Sequence, residues 1–146
     1  LYADYNYEVL TQGIFEDAVS HKRRGYFPKS DLLTNNMEFY QILSLCQLEK
    51  GLMGILEPRE DMRFRYKFNP KEDTLVIIPG VAFDISGYRI GYGRGFYDKF
   101  LVNKRQLSTM ALAYACQIVD EIPREAHDIR MDKIVTEEII YSFLRL

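Results

Sequence analysis

The 146-residue sequence predicts an α/β fold, with a single domain over residues 1–146, a layered and mostly parallel sheet, and helices on both faces. Three observations favour it. Leu75–Ile78 is a short, wholly apolar run that ends at a Pro-Gly pair, as in a strand buried on both faces. A stretch with apolar residues at helical spacing, residues 96–101, comes next, and residues 109–116 form a second apolar run. Strands alternating with helices are typical of a parallel sheet.

Length and composition set the broad class of the protein. The chain is 47% hydrophobic and 27% charged, which is ordinary for a globular protein, and its length fits one domain with a sizeable core. The net charge of −2 gives no general attraction to nucleic acid or membranes, so neither is expected as a partner. No membrane-spanning stretch or signal peptide is recognisable. The two cysteines lack a metal-type spacing, which favours reduced thiols in a cytoplasmic protein.

The first predicted element is a helix that begins after Thr11, a residue type that favours the N-cap position. Residues 22–24 are basic and fall in its predicted last turn, where cations complement the helix dipole. Gly25 is predicted to close the helix, since glycine readily adopts the left-handed conformation found there. The predicted apolar face of this helix consists of Ile14, Phe15, Ala18 and Val19.

The next segments alternate short strands with connections. Strands are predicted over residues 26–27, ending at Pro28, and over residues 37–42, whereas residues 51–61 are expected to be irregular. Residues 62–73 alternate basic with aromatic side chains, a pattern that is able to bind single-stranded nucleic acid. An exposed strand or loop is the preferred interpretation, because acidic residues at both ends of the segment offset its positive charge.

A glycine-rich segment follows the strand at Leu75–Ile78. A turn is predicted over residues 84–87, and residues 91–95 (the glycine loop) have glycine at every second position before a predicted helix. Glycines let backbone N–H groups approach an anion closely, the helix presents its positive end there, and Arg89 and Arg94 add donors for phosphate. The loop is neither a Walker A sequence nor a Rossmann fingerprint. A tight chain reversal explains the glycines equally well.

The longer string around this loop carries a family resemblance. Residues 79–84 read PGVAFD, and Gly87, Arg89, the glycine loop and the Tyr97-Asp98 pair follow. The sequence resembles the 5-formyltetrahydrofolate cyclo-ligases, also called 5,10-methenyltetrahydrofolate synthetases. The match extends downstream to Ala113, Gln117, Ile122-Pro123, His127-Asp128, Asp132 and Thr136-Glu137.

The resemblance implies a fold shared with ribose-5-phosphate isomerase and CoA-transferase domains. Members of that family have a basic N-terminal helix and a first strand before the point that corresponds to Leu1, and the helix contacts ATP. We therefore expect this helix and strand to be absent from the present sequence, which would leave part of the nucleotide site outside it.

The resemblance also implies an activity: ATP- and Mg²⁺-dependent cyclisation of 5-formyltetrahydrofolate to 5,10-methenyltetrahydrofolate, with phosphorylation of the formyl oxygen and release of ADP and phosphate. The expected partners are these two substrates, and we expect a monomer. The alternative is a domain of a transcription regulator with the same fold, which would sense a phosphate or sugar phosphate without turnover. A sensor gives no reason for the paired carboxylates Asp98 and Asp128.

Site residues follow from the resemblance by position. Arg94 and Tyr97 are the implied catalytic residues, and Asp98 and Asp128 the implied Mg²⁺ ligands, a suitable set because magnesium favours one or two carboxylates plus phosphate oxygens. Without the family, Asp98 complements a helix dipole equally well, and Asp128 is a turn residue. The implied ATP-binding residues are Arg89, Ile90, Gly91, Tyr92, Gly93, Arg94, Gly95, Phe96 and Tyr97.

The residues that the resemblance implies for folate binding match the family less completely. Family members often have an acidic residue where this chain has Leu10, although Glu8 remains available to pterin nitrogens. Tyr92 and Phe96 stack on a ligand or only pack the loop. The implied substrate-binding residues are Tyr5, Glu8, Leu10, Tyr92 and Phe96. His127 is interpreted as orienting its loop, because the chain has two histidines and no nucleophile motif of a hydrolase.

Overall fold

The chain forms two compact units, Leu1–Phe68 and Asn69–Leu146. The computed structural model describes residues 1–51 and 54–144, and each unit is presented by itself. The fold is mixed α/β, as predicted. The described residues contain two α-helices, one in each unit, so the predicted helices on both faces of one sheet stay a prediction, as does the single domain over residues 1–146.

The first unit combines one helix with two antiparallel strand pairs. Strand β1 pairs with β2 in register from Gly25 opposite Ile42 to Asp31 opposite Asn36, and β3 pairs with β4. The core of this unit contains Ala3 and Ile42 together with Phe15 and Phe27, whose rings meet edge to face at a centroid distance of 5.3 Å. The elements are α1 (Gln12–Ser20), β1 (Gly25–Asp31), β2 (Asn36–Ile42), a 3₁₀ turn (Leu45–Gln47), β3 (Leu48–Lys50) and β4 (Leu56–Pro58).

Helix α1 begins after Thr11 as predicted, but it ends earlier than predicted. Lys22, not Gly25, adopts the left-handed conformation, with φ of 58°. Two hydrogen bonds complete a Schellman motif, from Lys22 N to Val19 O and from Arg23 N to Ala18 O. Gly25 instead begins β1, where an added Cβ would lie 2.5 Å from the Phe15 ring. Close packing, rather than helix termination, therefore explains this glycine.

Two further boundaries differ from the predictions. Strand β1 continues through Pro28, which lies opposite Phe39, because β1 is at the edge of a two-stranded sheet, where proline is tolerated. The segment 51–61, expected to be irregular, contains β4, while residues 52–53 lie outside the described ranges. Residues 62–68 form no strand apart from one bridge between Tyr40 and Arg65.

The second unit contains a four-stranded sheet in the order β11-β10-β8-β5 and a three-stranded sheet in the order β7-β6-β9. Its buried core includes Ile78, Phe83, Ala111 and Ile134, each with no exposed surface. The elements are β5 (Leu75–Ile78), β6 (Ala82–Asp84), β7 (Arg89–Ile90), α2 (Phe96–Leu101), β8 (Ser108–Leu112), a 3₁₀ turn (Ala115–Gln117), β9 (Ile118–Val119), β10 (Lys133–Val135) and β11 (Ile140–Ser142).

The sheets are not mostly parallel, because those of the second unit are mixed and the described sheets of the first unit are antiparallel pairs. In the described ranges β5–β8, β8–β10 and β6–β9 are parallel, whereas β1–β2, β3–β4, β6–β7 and β10–β11 are antiparallel. Each antiparallel pair joins strands that are consecutive along the chain, and short connections permit only that pairing. The parallel prediction holds for the three strands at one side of the larger sheet.

The Pro79-Gly80 pair separates β5 from β6. Strand β6 belongs to the three-stranded sheet, whereas β5 belongs to the four-stranded sheet. The apolar run at 109–116 likewise ends as a strand at Leu112 and continues into a 3₁₀ turn. Neither α-helix, in the part of the chain that the structure describes, is long and apolar enough to cross a membrane.

Candidate active site

The glycine loop connects β7 to α2 in the second unit. Gly93 and Gly95 have φ of 85° and 63°, in the left-handed region where a side chain is strained, so the turn itself requires both. Gly91 has no such φ, and an added Cβ there would meet nothing within 4 Å among the described residues. Turn geometry therefore accounts for two glycines of the loop, and Gly91 leaves open backbone that an anion can approach.

Helix α2 contributes less to anion binding than the sequence suggests. It has six residues, Phe96–Leu101, with Gly95 as its N-cap. The dipole of a helix is the sum of the dipoles of its aligned peptide units. A helix of six residues therefore offers little positive potential at its N-terminus. Positive charge for a phosphate must therefore come from side chains of the loop and its flanks.

Arg89 and Asp98 form a largely buried ion pair across the two ends of the glycine loop. Arg89 Nη2 donates to Asp98 Oδ2 at 2.9 Å, and Arg89 Nη1 donates to Asp98 Oδ1 at 3.3 Å. The side chains are 5% and 15% exposed. The Arg89 guanidinium also lies 5.9 Å from the centre of the Tyr97 ring. This two-fold contact fixes the direction of both side chains.

Arg94 differs from Arg89 in its exposure and in its contacts. It is exposed at the middle of the glycine loop, and no hydrogen bond or ion pair to it occurs within residues 1–51 and 54–144. Tyr92, beside it, is 60% exposed, whereas Phe96 and Tyr97 are half-buried. Arg94 is therefore the arginine of this region whose guanidinium is available to an incoming anion.

Of the two predicted metal ligands, Asp98 contacts the backbone of the loop that carries Asp128. Ile129 N donates to Asp98 Oδ1 at 3.1 Å, which places Asp98 against the residue that follows Asp128. Asp128 Oδ2 accepts from Glu125 N at 2.7 Å. Two carboxylates suit magnesium chemically, but both Asp98 oxygens are already engaged by Arg89. Within the described ranges no cluster of three or more His, Cys, Asp or Glu residues is suited to a metal.

Asp84 forms a second network that the sequence did not indicate. Its carboxylate has no exposed surface; Oδ1 accepts from Ser86 N at 2.9 Å and from Tyr88 N at 3.0 Å. Asp84 Oδ2 accepts from Arg124 Nη2 at 3.0 Å, and the Arg124 guanidinium lies 4.4 Å from the centre of the Tyr88 ring. The predicted turn at 84–87 is thus held by a buried ion pair as well as by its own backbone.

The segment from Arg124 to Met131 (the 124–131 loop) is fixed at several points to β6, to the turn that follows β6 and to Asp98 of α2. Met131 N donates to Gly87 O at 2.8 Å, in addition to the contacts of Arg124 and Ile129. His127 lies 3.4 Å from the Glu125 carboxylate, and both are well exposed, which agrees with a role within its own loop. The loop that carries Asp128 therefore has a defined position in this unit.

The predicted folate-side residues of the first unit surround a tight turn. Tyr5 N donates to Glu8 Oε2 at 2.8 Å, so one Glu8 oxygen is used to hold the turn at 5–8. Leu10 is 71% exposed, and its side chain is apolar and has no group that forms a hydrogen bond. Thr11 then anchors the segment, since its buried hydroxyl donates to Tyr2 O at 2.7 Å. Tyr5, Glu8 and Leu10 share this short segment; Tyr92 and Phe96 belong to the second unit.

Comparison with known proteins decides the family. The sequence profile of the 5-formyltetrahydrofolate cyclo-ligase family matches residues 1–137. The chain belongs to this family. The mouse 5-formyltetrahydrofolate cyclo-ligase is 31% identical over 139 residues, covering 90% of this chain and 68% of the mouse protein. The protein of that name from Escherichia coli K12 is 30% identical over 146 residues, covering 98% of this chain and 79% of its own length.

A solved structure agrees with this assignment. The chain is similar to the NMR structure of Aquifex aeolicus 5,10-methenyltetrahydrofolate synthetase, with a TM-score of 0.75 and 31% sequence identity, over 97% of this chain and 69% of the other. The resemblance inferred from the PGVAFD string and the glycine loop is therefore confirmed, and so is the prediction that the chain is an enzyme of the cyclo-ligase family. The roles of individual site residues stay predictions.

Proposed function

We propose that this cyclo-ligase family member converts 5-formyltetrahydrofolate and ATP to 5,10-methenyltetrahydrofolate, ADP and phosphate. The observation that supports this most strongly is the match of the family profile to residues 1–137, which includes both the glycine loop and the 124–131 loop. Arg94, which is exposed in the glycine loop and has no partner among the described residues, adds a chemical reason for the second unit to bind a triphosphate.

The chemistry needs activation of an oxygen that is a poor leaving group. The formyl oxygen attacks the γ-phosphorus of ATP, the bond from that phosphorus to the β–γ bridging oxygen breaks, and ADP leaves. N10 of the folate then attacks the formyl carbon, loses its proton to water, and the phosphorylated oxygen departs as phosphate. The protein chiefly has to align the two oxygens and neutralise charge on the transferred group.

Arg94 is the residue we assign to that charge. Its guanidinium has no competing partner among the described residues, so it can donate hydrogen bonds to the oxygens of the transferred phosphoryl group. Tyr97, the second proposed catalytic residue, lies near the Arg89 guanidinium and is half-buried at the beginning of α2. Backbone N–H groups of residues 89–97 supply the remaining contacts to the triphosphate.

Magnesium is the proposed ion of the reaction, with Asp98 and Asp128 as its protein ligands. When bound it would neutralise phosphate charge and orient the triphosphate. Asp98 becomes available only if its contact with Arg89 changes, whereas one oxygen of Asp128 has no described hydrogen bond. These assignments follow the family pattern and the position of Ile129 beside Asp98.

The family pattern gives the proposed folate-binding residues, which are Tyr5, Glu8, Leu10, Tyr92 and Phe96. Glu8 supplies a carboxylate, which also accepts a hydrogen bond from Tyr5 N, and the exposed Tyr92 ring offers a stacking surface for a pterin. Leu10 supplies apolar contact where relatives often have a carboxylate. We therefore expect recognition of the pterin to rest on Glu8.

The test is to incubate the protein with Mg-ATP and 5-formyltetrahydrofolate and to follow absorbance of the conjugated methenyl product. Product should form with wild type and fall by at least about tenfold with Arg94→Gln, because a charged hydrogen bond is worth roughly 1.5–3 kcal/mol. A sensor domain would bind without product.

Three finer proposals accompany the activity. The layered fold of the ribose-5-phosphate isomerase and CoA-transferase type, a cytoplasmic location and a monomeric state remain predictions from sequence. Cys46 and Cys116 are both exposed and form no disulfide with each other, and their reduced state stays a prediction. Sedimentation of the purified protein tests the monomeric state directly.

A further inference from the structure

We propose that Arg89 occupies Asp98 in place of a divalent cation, so that a metal ion gains this carboxylate only when nucleotide phosphates draw Arg89 away. The inference rests on the proposed function, and it assigns Arg89 a role in addition to phosphate binding. It would make Arg89 the residue that couples metal binding to nucleotide binding at the glycine loop.

The contacts of Asp98 leave little room for another cation. Arg89 donates one hydrogen bond to each carboxylate oxygen, at 2.9 Å and 3.3 Å, and Ile129 N takes a further position on Oδ1 at 3.1 Å. The Asp98 side chain is only 15% exposed. A second positive charge at the same oxygens would face Arg89 at close range, and the like charges would repel each other.

The same arrangement makes exchange plausible in chemical terms. A guanidinium binds phosphate and carboxylate with the same fork of donors, so triphosphate oxygens compete directly with Asp98 for Arg89. The glycine loop separates Arg89 from Asp98 in sequence and presents open backbone at Gly91. Once Arg89 turns to a phosphate, Asp98 is an unpaired carboxylate in a poorly hydrated place, a state that a divalent cation relieves.

The first experiment measures binding of Mn²⁺ alone, by enhancement of water-proton relaxation, to wild type, Arg89→Gln and Arg94→Gln. Arg89→Gln should bind Mn²⁺ at least about tenfold more tightly than wild type, because the substitution releases Asp98. A change of this size lies within the usual range of coupling between two binding sites. Arg94→Gln is the matched control, because it removes the same charge five residues away but leaves the Arg89–Asp98 ion pair intact. The double variant Arg89→Gln/Asp98→Asn should lose the gain.

A second measurement needs no variant, in case Arg89→Gln does not fold as judged by circular dichroism. Wild type should bind Mn²⁺ at least about tenfold more tightly in the presence of a non-hydrolysable ATP analogue than alone, after correction for Mn²⁺ bound by free analogue. Equal affinity in both conditions overturns the proposal. So does a folded Arg89→Gln that binds Mn²⁺ no better than wild type, or an equal gain in Arg94→Gln.

Failure of the proposed function gives a different result. If wild type binds no ATP analogue with or without metal and forms no methenyl product, the nucleotide site itself is absent. If it binds analogue and forms product while Mn²⁺ affinity is indifferent to Arg89, the cyclo-ligase activity stands and only the exchange is wrong.

Discussion

Arg124 donates a hydrogen bond to Asp84 at 3.0 Å, and this joins the 124–131 loop to a carboxylate that has no exposed surface. The two residues are 40 positions apart. Asp84 also holds Ser86 N and Tyr88 N, so a single carboxylate fixes the turn before β7 and the loop that carries Asp128.

Replacing Arg124 with glutamine should therefore lower stability. The change leaves a buried carboxylate with backbone donors alone, and we expect a loss of about 2–3 kcal/mol, below the full cost of breaking a buried pair because Arg124 is 36% exposed. Urea unfolding provides the measurement. Arg65→Gln is the control, since the Arg65–Glu38 pair is 52% and 44% exposed and should contribute less than about 1 kcal/mol. Equal losses in the two variants would contradict burial of the Asp84 charge.

The hydroxyl of Thr11 should matter for reasons other than helix capping. It is 1% exposed and donates to Tyr2 O, while no side-chain cap bond to α1 is present. Thr11→Val keeps the shape and removes the donor, so we expect a loss of about 1–2 kcal/mol in urea unfolding. Thr136→Val, whose hydroxyl is exposed, should change stability by less than about 0.5 kcal/mol because water replaces its partners. A neutral Thr11→Val would show that the Tyr2 carbonyl finds another donor.

The turn between β1 and β2 should show a pH dependence. The Thr34 hydroxyl, followed by the backbone N–H groups of Leu33 and Thr34, lowers the pKa of Asp31 from its ordinary value of 3.8. A lowered folded pKa means that the stabilisation is complete above the unfolded value and is lost as pH falls through the folded value. An NMR titration of the Asp31 carboxyl carbon should give a midpoint below 3.8. Thr34→Val should move the midpoint upward, and a wild-type midpoint at or above the ordinary value would refute the turn geometry.

Gly91 should be needed for nucleotide binding but not for folding. Its added Cβ meets nothing within 4 Å, so Gly91→Ala should leave the free energy of unfolding nearly unchanged. If a phosphate approaches the loop backbone there, the methyl group should weaken binding of an ATP analogue about tenfold, equivalent to roughly 1.4 kcal/mol. Calorimetric titration measures this.

Gly13→Ala is the matched control for Gly91→Ala. Gly13 also has open space for a Cβ, and in α1 the change should raise stability slightly, by up to about 0.5–1 kcal/mol, without an effect on nucleotide affinity. Unchanged analogue affinity in Gly91→Ala would place the phosphates away from this part of the loop.

Sequence reasoning was most successful where the signal is local. The strand at Leu75–Ile78 was predicted correctly, because a buried strand is recognisable from a few consecutive apolar residues. Helix α1 also begins after Thr11 as predicted, but the Thr11 hydroxyl donates to Tyr2 O and makes no cap hydrogen bond. The family string around the glycine loop was equally local and identified the family. The prediction that Gly25 closes α1 was wrong for the opposite reason. The role of Gly25 depends on the Phe15 ring, a tertiary neighbour that the sequence pattern around Gly25 does not reveal.

The candidate site was predicted by position but not by contact. Arg89, Arg94 and Asp98 were all named from the sequence, yet the ion pair that separates the engaged Arg89 from the free Arg94 depends on the conformation of the glycine loop. Arg124 was missed because it is distant in sequence from Asp84 and lies in a stretch that reads only as a turn. Pairing of buried charges across loops is a property of the fold rather than of local composition.

The proposed nucleotide site is tested most directly by following backbone amide signals in a ¹⁵N–¹H NMR spectrum while Mg²⁺ and a non-hydrolysable ATP analogue are added. Binding at the glycine loop predicts the largest shifts at the amides of Gly91, Gly93 and Gly95 and at the guanidinium of Arg94. If these signals stay in place while amides elsewhere in the chain respond to the analogue, the nucleotide binds at another site and the assigned roles of the loop are wrong.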